Sequence, residues 1–314
     1  MTLRVAKVTP EADGIASLEL VDPHGHPLPA FTAGAHLDVH IPGGFLRQYS
    51  LCNDPRETQR YVIGVQRDRA SRGGSQRLHD TVKAGDSLAI GGPRNNFPLH
   101  EAASRHRLIA GGIGVTPMMA MLWRLVAIGA DWHLDYCARE PKVTAFRAAL
   151  ATAPFAGRVD FHYDGGDPAK GLDVRRALAD QRPGEHLYCC GPTGLMDAVK
   201  AASAHWAPGT VHFEYFVNEQ IDAGVNSAFQ VRIASTGKVY DVPADKSVMQ
   251  VLRDNGHDID SSCEEGICGT CATPVKEGDI DHRDAVLSDD EKKGNRWMMV
   301  CCSRARSGLI VLDL

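Results

Sequence analysis

The stretch "SSCEEGICGTC", residues 261–271, places Cys263, Cys268 and Cys271 within nine positions, among glycines, serines and acids. Three thiols held this close indicate a disulfide knot, a zinc site or an iron–sulfur cluster. The chain contains nine cysteines, and its start, "MTLRVAKVTPEADG", lacks the apolar run of a signal peptide. We therefore expect a cytoplasmic protein, and a reducing compartment disfavours the disulfide knot.

The spacing separates the two remaining kinds of site. A structural zinc site usually pairs two short hooks of two cysteines each. Here a single C-x4-C-x2-C group has a distant partner in "VCC", with 29 residues between Cys271 and Cys301. That is the plant-type [2Fe–2S] spacing, and Gly266 and Gly269 let backbone N–H groups approach the sulfurs closely. The spacing predicts an iron–sulfur cluster, with zinc as the alternative.

Upstream of this loop the hydrophobic pattern changes once. Up to about residue 100, short runs such as "HLDVHIP" and "RYVIGVQR" alternate apolar and polar positions between Gly/Pro turns, which predicts an antiparallel sheet or barrel. From about 104 to 216, strands such as "RHRLIAGG" alternate with helical patterns such as "TPMMAMLWRLVAIG", with Thr116 as N-cap and Pro117 as the first helical residue. Such alternation predicts a parallel sheet.

The C-terminal segment follows a short polar stretch, "VNEQIDAGVNS" (217–227), which we interpret as a linker. "FQVRIASTGKVYDVP" predicts a hairpin around Thr236–Gly237, "SVMQVLRDNG" a helix ending near Gly256, and "SGLIVLDL" a final strand. The sequence therefore predicts a multidomain protein.

Composition and charge restrict the partners. With 43% hydrophobic and 23% charged residues, the chain is an ordinary globular sequence, and its net charge of −5 disfavours nucleic acid as a partner. The most apolar stretch, "LIAGGIGVTPMMAMLW", is too short to span a membrane. Residues 229–314 contain 11 Lys and Arg against 15 Asp and Glu, so this segment carries most of the negative charge. It suggests docking on a basic face of a partner protein.

Three further motifs carry a family resemblance. "IAGGIGVTPM" (109–118) and "YCCGPTGLMDAV" (188–199) are glycine-containing turns between a strand and a helix N-terminus, a place that suits pyrophosphate. With "RQYSL" (47–51), they resemble the ferredoxin–NAD(P)+ reductase superfamily. The order of the segments narrows the resemblance to the phthalate dioxygenase reductase family, and within it to the reductase components of vanillate O-demethylase and related Rieske oxygenases.

The resemblance implies three domains: an FMN-binding antiparallel β-barrel domain over 1–103, an NAD-binding α/β domain over 104–224, and a plant-type [2Fe–2S] ferredoxin domain of the α+β (β-grasp) kind over 228–314. It further implies which residues surround the flavin. Those along the ring are Arg47, Gln48, Tyr49, Ser50, Val65, Gln66 and Arg67, and those at the phosphate are Arg72, Gly73, Gly74 and Ser75. FMN is preferred to FAD because no extra segment is available for an adenine.

On the nucleotide side, the resemblance implies contacts from Gly111, Gly112, Gly114, Thr116, Pro117, Arg139, Asp164, Cys190, Gly191 and Pro192. Asp164 favours NADH because a carboxylate accepts from a ribose 2′-OH and repels a 2′-phosphate, whereas Arg139 could favour NADPH. Phe216 is expected to stack on the flavin, with Tyr215 as the alternative. Ser50, Cys190 and Glu214 are expected at the hydride-transfer site, without assignment as a general acid or base.

For the cluster, the resemblance implies ligation by Cys263, Cys268, Cys271 and Cys301, with Cys302 as the alternative fourth ligand. The function expected is transfer of electrons from NADH through FMN and [2Fe–2S] to a terminal Rieske non-haem iron oxygenase, in a ring-hydroxylating or O-demethylating system. A reductase for a cytochrome P450 or a small ferredoxin, and a zinc-binding protein without enzymatic activity, are the alternatives. We expect a monomer.

Overall fold

The computed structural model describes residues 1–68, 73–216 and 225–314. The chain divides into two compact units, Met1–Glu214 and Tyr215–Leu314. Most of the expected linker, residues 217–224, lies outside the described residues, as does Arg72. Within the described ranges, no helix is both long and apolar enough to cross a membrane.

The first unit begins with a six-stranded antiparallel sheet. Its strands are β1 (Thr2–Ala12), β2 (Ile15–Val21), β3 (His36–Ile41), β4 (Phe45–Ser50), β5 (Tyr61–Gln66) and β6 (Ser87–Ile90), with helix α1 (Gly74–Thr81) between the last two. The strand order is β4-β3-β6-β1-β2-β5. The outer strands meet where Leu51 bridges Ile63 and the Cys52 N–H donates to the Val62 carbonyl at 2.8 Å. The sheet therefore closes around alternating apolar side chains, as a barrel does.

The same unit contains a five-stranded sheet in which every pairing is parallel. Its strands are β7 (Arg105–Gly111), β8 (Trp132–Ala138), β9 (Val159–Tyr163), β10 (Glu185–Cys190) and β11 (Val211–Glu214), and its helices are α2 (Val115–Ala127), α3 (Arg147–Leu150), α4 (Val174–Ala177) and α5 (Thr193–Ala202). The order β11-β10-β7-β8-β9 reverses direction between β7 and β10. Ligands of open α/β sheets bind at such a reversal, at the carboxyl ends of the strands.

The helices of this sheet differ from the sequence prediction in two respects. Helix α2 begins at Val115 with Gly114 as N-cap, so Thr116 is not the N-cap; its hydroxyl instead donates to the Ile113 carbonyl at 2.8 Å inside the first turn. The patterns "VTAFRAALATA" and "DVRRALAD" form only the four-residue helices α3 and α4. In the first of these, Phe146 adopts φ 55°, a left-handed conformation that no α-helix continues through.

The second unit is built on a mixed five-stranded sheet. Its elements are β12 (Phe229–Ile233), β13 (Val239–Val242), α6 (Val248–Asp254), β14 (Ala272–Glu277), β15 (Ile280–Asp281), α7 (Asp289–Gly294), β16 (Trp297–Met299), β17 (Arg304–Ala305) and β18 (Leu309–Leu312). The order is β13-β12-β18-β14-β16, with β12 and β18 parallel, and β15 pairs separately with β17. Ser247 and Gln250 form a capping box at the start of α6, whose apolar side packs into the core.

Candidate functional site

The two glycine-containing loops of the parallel sheet touch each other through their backbones. A Cβ atom built on Gly114 would lie 2.2 Å from the Cys190 carbonyl oxygen, and one built on Gly191 would lie 2.9 Å from the Gly111 Cα. Neither position has room for a side chain, and Gly112 has φ 53°. The residues expected at the nicotinamide and pyrophosphate therefore lie together at the reversal of the sheet, and Pro192 is the N-cap of α5 beside them.

Three residues expected at the hydride-transfer site also come together. Cys190 and Glu214 are register partners at the carboxyl ends of β10 and β11. The hydroxyl of Ser50, at the end of β4 in the barrel, donates to Glu214 Oε2 at 3.5 Å. The barrel and the parallel sheet thus each contribute to one small cluster, although Ser50 and Glu214 are 164 positions apart.

The charges of this cluster are set by burial. Burial raises the pKa of Glu214 to about 8 because it disfavours the carboxylate, and the hydrogen bond from Ser50 offsets part of that effect. Burial also raises the pKa of the Cys190 thiol well above its ordinary value, and neighbouring Glu214 raises it further. At neutral pH the cluster therefore holds a neutral thiol and a carboxyl group that is mostly protonated.

Thr116 lies at the junction between α2 and the barrel. A Cβ on Gly64 of β5 would come within 2.6 Å of the Thr116 Cγ2, so the two residues are in close contact only because position 64 is glycine. Thr116 and Pro117 are both buried. This contact fixes the N-terminal turn of α2 against the barrel strand that carries the expected flavin residues Val65 and Gln66.

The strand β4 carries Arg47, Gln48 and Tyr49 beside α1. The Arg47 guanidinium donates to the Leu46 carbonyl at 2.8 Å, and a Cβ on Gly74 would lie 3.1 Å from the Arg47 Cγ. Arg47 therefore lies directly beside the start of α1. The Gln48 amide donates to an Asp38 oxygen at 3.2 Å. Burial raises the pKa of Tyr49 to about 12, so its hydroxyl stays neutral.

The expected phosphate loop continues into the N-terminus of α1. Gly73, the N-cap residue, has φ 103° and no side-chain oxygen to cap the first turn. The Ser75 hydroxyl accepts from the Asp68 N–H at 3.3 Å. A helix N-terminus beside an arginine is a favourable environment for a phosphate dianion. Gly73, Gly74 and Ser75 lie at this helix N-terminus, whereas Arg72 lies outside the described residues.

The predicted flavin residues at the end of strand β5 differ in how accessible their side chains are to a flavin ring. Val65 is fully buried, and its carbonyl lies 2.7 Å from the His79 Nε2. Gln66 is exposed, and the Arg67 guanidinium forms two contacts of 3.1 Å with Asp80. The side chain of Arg67 is thus paired with Asp80 of α1.

Arg139 and Asp164 follow the adjacent strands β8 and β9 and lie at the same edge of the sheet. The Asp164 N–H donates to the Ala138 carbonyl at 3.3 Å, and the Gly165 N–H donates to the Arg139 carbonyl at 2.9 Å. Asp164 Oδ1 accepts from the Gly166 N–H at 2.7 Å, which orients the carboxylate within the turn. Arg139 is exposed. The two residues therefore lie side by side at the carboxyl edge of the sheet.

Two other features bear on the flavin prediction. Phe216 and its alternative Tyr215 belong to the second unit, and the Phe216 side chain is 37% exposed. The predicted site residues did not include Asp38 and Arg94, which form a 2.5 Å ion pair beside Gln48. No motif marks either residue, so only the fold could bring them to β4.

The cysteine loop of the second unit winds through three left-handed residues: Glu264 (φ 56°), Gly266 (φ 70°) and Gly269 (φ 73°). This path turns backbone N–H groups toward the sulfur of Cys263, which accepts from Glu265 at 3.3 Å and from Ile267 at 3.5 Å. N–H groups directed at a sulfur stabilise a thiolate, the form that binds metal.

The thiols of the loop interact in pairs. Contact with Cys268 raises the pKa of Cys263, and the same contact lowers the pKa of Cys268. Contact with Cys301 raises the pKa of Cys271. Four cysteine thiols that lie close enough to affect each other's pKa are suitable ligands for an iron–sulfur cluster. The described residues thus fit a cluster of this kind.

The adjacent residues Cys301 and Cys302 have different surroundings. The thiol of Cys301 interacts with those of Cys271 and Cys302. The thiol of Cys302 donates weakly to the Met299 carbonyl at 3.8 Å and lies 4.0 Å from the Ser303 hydroxyl. Cys302 therefore has partners of its own within the turn.

Comparison with known proteins agrees with this geometry. Residues 108–201 match the oxidoreductase NAD-binding domain family, and residues 231–306 match the 2Fe-2S iron-sulfur cluster binding domain family. The tert-butanol monooxygenase / tert-amyl alcohol desaturase reductase subunit of Aquincola tertiaricarbonis is 46% identical, over 100% of this chain and 96% of the relative. The vanillate O-demethylase oxidoreductase of Pseudomonas sp. (strain HR199 / DSM 7063) is 47% identical, over 96% of both chains.

Two solved structures extend the comparison. Phthalate dioxygenase reductase, described as a modular structure for electron transfer from pyridine nucleotides to [2Fe–2S], has a TM-score of 0.77 at 45% identity and covers 100% of this chain and 98% of its own. An intact type IV self-sufficient cytochrome P450 monooxygenase has a TM-score of 0.87 at 39% identity, over 100% of this chain and 41% of that chain. The whole chain thus has counterparts both as a separate protein and as part of a longer one.

Proposed function

Since the chain belongs to the phthalate dioxygenase reductase family, we propose that it transfers electrons from NADH through FMN and a [2Fe–2S] cluster to a terminal Rieske non-haem iron oxygenase. It is an NAD(P)H-dependent flavin and iron–sulfur oxidoreductase, the reductase component of an oxygenase system.

The observation that carries the proposal is the cluster of Ser50, Cys190 and Glu214. It joins a barrel strand to the carboxyl ends of two parallel strands, beside the paired glycine loops. When bound, a flavin accepts the two electrons of a hydride and an iron–sulfur cluster carries one electron at a time. Neutral Cys190 and Glu214 would present no negative charge to a hydride approaching the flavin.

The barrel residues support FMN. Arg47 and the N-terminus of α1 at Gly74 offer a guanidinium and backbone N–H groups to one phosphate. In this proposal Gly73 and Ser75 complete the phosphate site with Arg72, while Gln48, Tyr49 and Ser50 lie along the ring. Val65 and Gln66 of β5, and Arg67 directly after it, would border the ring, the first and last through their backbone, and Phe216 would pack on the ring.

The nucleotide residues support NADH. Gly111, Gly112, Gly114 and Gly191 would let the pyrophosphate and nicotinamide approach the backbone, and Thr116, Pro117 and Pro192 would flank them. Asp164 would accept from the ribose 2′-OH, and its negative charge would repel a 2′-phosphate. Arg139, on the neighbouring strand, would contact the pyrophosphate.

For the cluster, we propose Cys263, Cys268, Cys271 and Cys301 as ligands. The mutual contacts of the thiols and the N–H groups directed at Cys263 support this set. Cys302 is left out because its thiol faces the Met299 carbonyl. The proposed domain boundaries are 1–103 for the FMN domain, 104–224 for the NAD domain and 228–314 for the ferredoxin domain, and we propose that the chain acts as a monomer.

The acceptor is proposed to be an oxygenase of a ring-hydroxylating or O-demethylating system. The likeness to part of a self-sufficient P450 supports a second candidate, in which the electrons reach a haem domain instead. A direct test supplies the purified protein with NADH and compares the rates at which it reduces a Rieske oxygenase, a cytochrome P450 and a small ferredoxin. The proposal requires the oxygenase to be reduced fastest.

Charge steering provides a further test of the partner. Because residues 229–314 are acidic, raising the ionic strength should slow reduction of the oxygenase. Reduction of ferricyanide by the flavin serves as the control for general salt effects. If the rate of oxygenase reduction does not change with salt, the proposed charge steering is wrong.

Release of FAD instead of FMN on denaturation would contradict the proposal that the flavin is FMN.

A further inference from the structure

One cluster of polar side chains in the first unit has no part in the hydride or electron path. Residues Asp135 and Asp160 are register partners on the parallel strands β8 and β9. Because side chains alternate along a strand, His133 shares a face of β8 with Asp135, and His162 shares that face of β9 with Asp160. Strand β9 is the edge of the sheet, so the cluster lies at its border.

The distances within this cluster resemble those of a metal coordination shell. His133 Nε2 lies 3.3 Å from Asp160 Oδ2 and 3.7 Å from Asp135 Oδ1. One ligand atom from each of the three residues lies within 4.8 Å of the others. Ligands about 2.0–2.2 Å from a tetrahedral zinc ion are separated from each other by about 3.3–3.6 Å. The three side chains would need only small rotations to converge on one ion.

We propose that His133, Asp135 and Asp160 bind a divalent transition-metal ion of the zinc class, at a site separate from the cysteine loop. One imidazole and two carboxylates match the ligand preference of zinc and its neighbours, whereas magnesium prefers oxygen ligands alone. The side chains of His133 and Asp160 are 26% and 68% exposed, so an ion can enter from solvent and keep a water as its fourth ligand.

His162 supplies the supporting contact that such sites usually have. Its Nε2 lies 2.8 Å from Asp135 Oδ1, so the imidazole can hold the carboxylate in orientation. Asp135 is buried on β8, which makes it the rigid member of the site. Because Asp160 and His162 both belong to β9, a bound ion would tie this edge strand to β8.

The charge around the cluster favours a cation. The site contributes two carboxylates, and the nearby guanidinium is that of Arg107, which is in register with His133 on β7. That guanidinium is already engaged by the Ala177 carbonyl and lies 3.5 Å from Glu185 Oε1. Without metal, His133, His162, Asp135 and Asp160 would form only a cluster of hydrogen bonds and ion pairs.

The test uses the full-length protein with its flavin and cluster in place. The protein is dialysed against micromolar Zn²⁺ at about pH 8, above the ordinary imidazole pKa, and zinc, iron and flavin are counted per chain. The wild type should bind one zinc more than the Asp160→Asn and His133→Gln variants. His162→Leu should bind zinc about 10–100-fold more weakly, the usual cost of losing a supporting contact.

Controls separate this site from other zinc sites. His26→Gln, at an exposed histidine 3.4 Å from Asp22, should keep the full zinc content. X-ray absorption at the zinc edge should find nitrogen and oxygen at about 2.0–2.1 Å without sulfur at about 2.3 Å. Equal zinc content in wild type and Asp160→Asn, or sulfur in the zinc shell, would overturn the proposal. Because Asp160 is exposed, the Asp160→Asn protein should fold normally. Iron and flavin contents equal to those of the wild type would show that its fold is intact.

Discussion

The backbone of Gly114 rests on the carbonyl group of Cys190. A Cβ atom at position 114 would lie 2.2 Å from the carbonyl oxygen and 2.5 Å from the carbonyl carbon, with the Gly191 nitrogen at 2.9 Å. Gly114 is the N-cap of α2, and Cys190 ends β10, so this contact joins the two loops that meet at the reversal of the sheet. The distance between these loops should set the width of the nucleotide site that we propose.

Replacing Gly114 by alanine should force the two loops apart. Because the obstructing atoms are backbone, we expect a loss of roughly 1–3 kcal/mol in unfolding free energy, as for other overpacked sites. The rate of flavin reduction by NADH should fall as well. Thermal unfolding and stopped-flow absorbance measure the two effects. Gly92→Ala, where a Cβ meets nothing within 4 Å, is the matched control; equal behaviour of the two variants would contradict the prediction.

Glu214 should make stability depend on pH. Its pKa is raised from 4.5 to about 8, so the folded state holds this proton more tightly than the unfolded chain does. The contribution of Glu214 to stability is therefore fully present below about pH 4.5 and is lost as pH rises through about 8. Glu214→Gln should remove this part of the pH dependence of the melting temperature.

The control for Glu214 is Glu140→Gln, which changes an exposed carboxylate of the same unit. In this variant the melting temperature should depend on pH between about pH 5 and 8 as it does in the wild type. The rate of flavin reduction by NADH should follow the same transition near pH 8 in the wild type and lose it in Glu214→Gln. A slope that persists in Glu214→Gln would show that another group is responsible.

Much of this architecture could be predicted because it follows from local pattern. The alternation of strands and helices, the turns at Gly237 and Gly256, and the glycine loops each depend on neighbouring residues. The contact of Ser50 with Glu214 could not be derived in this way, since it depends on how the barrel packs against the parallel sheet. The sequence suggested both residues only through a family resemblance.

The errors of prediction also have a physical cause. Thr116 has the chemistry of an N-cap, yet the close approach of Gly114 to the neighbouring loop starts the helix two residues earlier. Residues 143–153 have helical composition, but the left-handed Phe146 leaves only four of them in α3. In both cases tertiary packing overrides a local propensity. The zinc-like arrangement of His133 and Asp160 has no sequence motif, since the two residues lie on different strands.

Cys268→Ser should separate the two electron-transfer steps. The cysteine loop lies in the second unit, whereas Ser50, Cys190 and Glu214 lie in the first. We therefore expect loss of one-electron output to cytochrome c down to background, while NADH still reduces the flavin at nearly the wild-type rate. Cys137→Ser changes a half-buried thiol on β8 of the parallel sheet and should preserve both activities. Joint loss of both activities in a folded Cys268→Ser protein would mean that the steps are not separate.

The adjacent cysteines 301 and 302 should respond differently to the same substitution. Cys301→Ser removes a thiol that contacts Cys271 and should abolish binding of iron and acid-labile sulfide. Cys302→Ser changes a buried thiol that faces the Met299 carbonyl, so it should retain the iron at a cost of about 1–3 kcal/mol in stability. Metal and sulfide analysis after anaerobic purification distinguishes the two; the reverse pattern would make Cys302 the ligand.

Asp164→Asn should weaken the preference for NADH over NADPH. Asparagine keeps a carbonyl oxygen that can accept from the Gly166 N–H, so the turn should be preserved while the negative charge is removed. We expect the ratio of kcat/KM for NADH to that for NADPH to fall about tenfold, equivalent to roughly 1.4 kcal/mol. Most of the change should come from faster use of NADPH, because repulsion of its 2′-phosphate is relieved. Asp167→Asn, in the same turn with its carboxylate accepting from the Ala169 N–H at 3.2 Å, should leave the ratio unchanged. If both variants lower the ratio equally, the general negative charge of the turn selects the nucleotide, and the specific contact proposed for Asp164 is wrong.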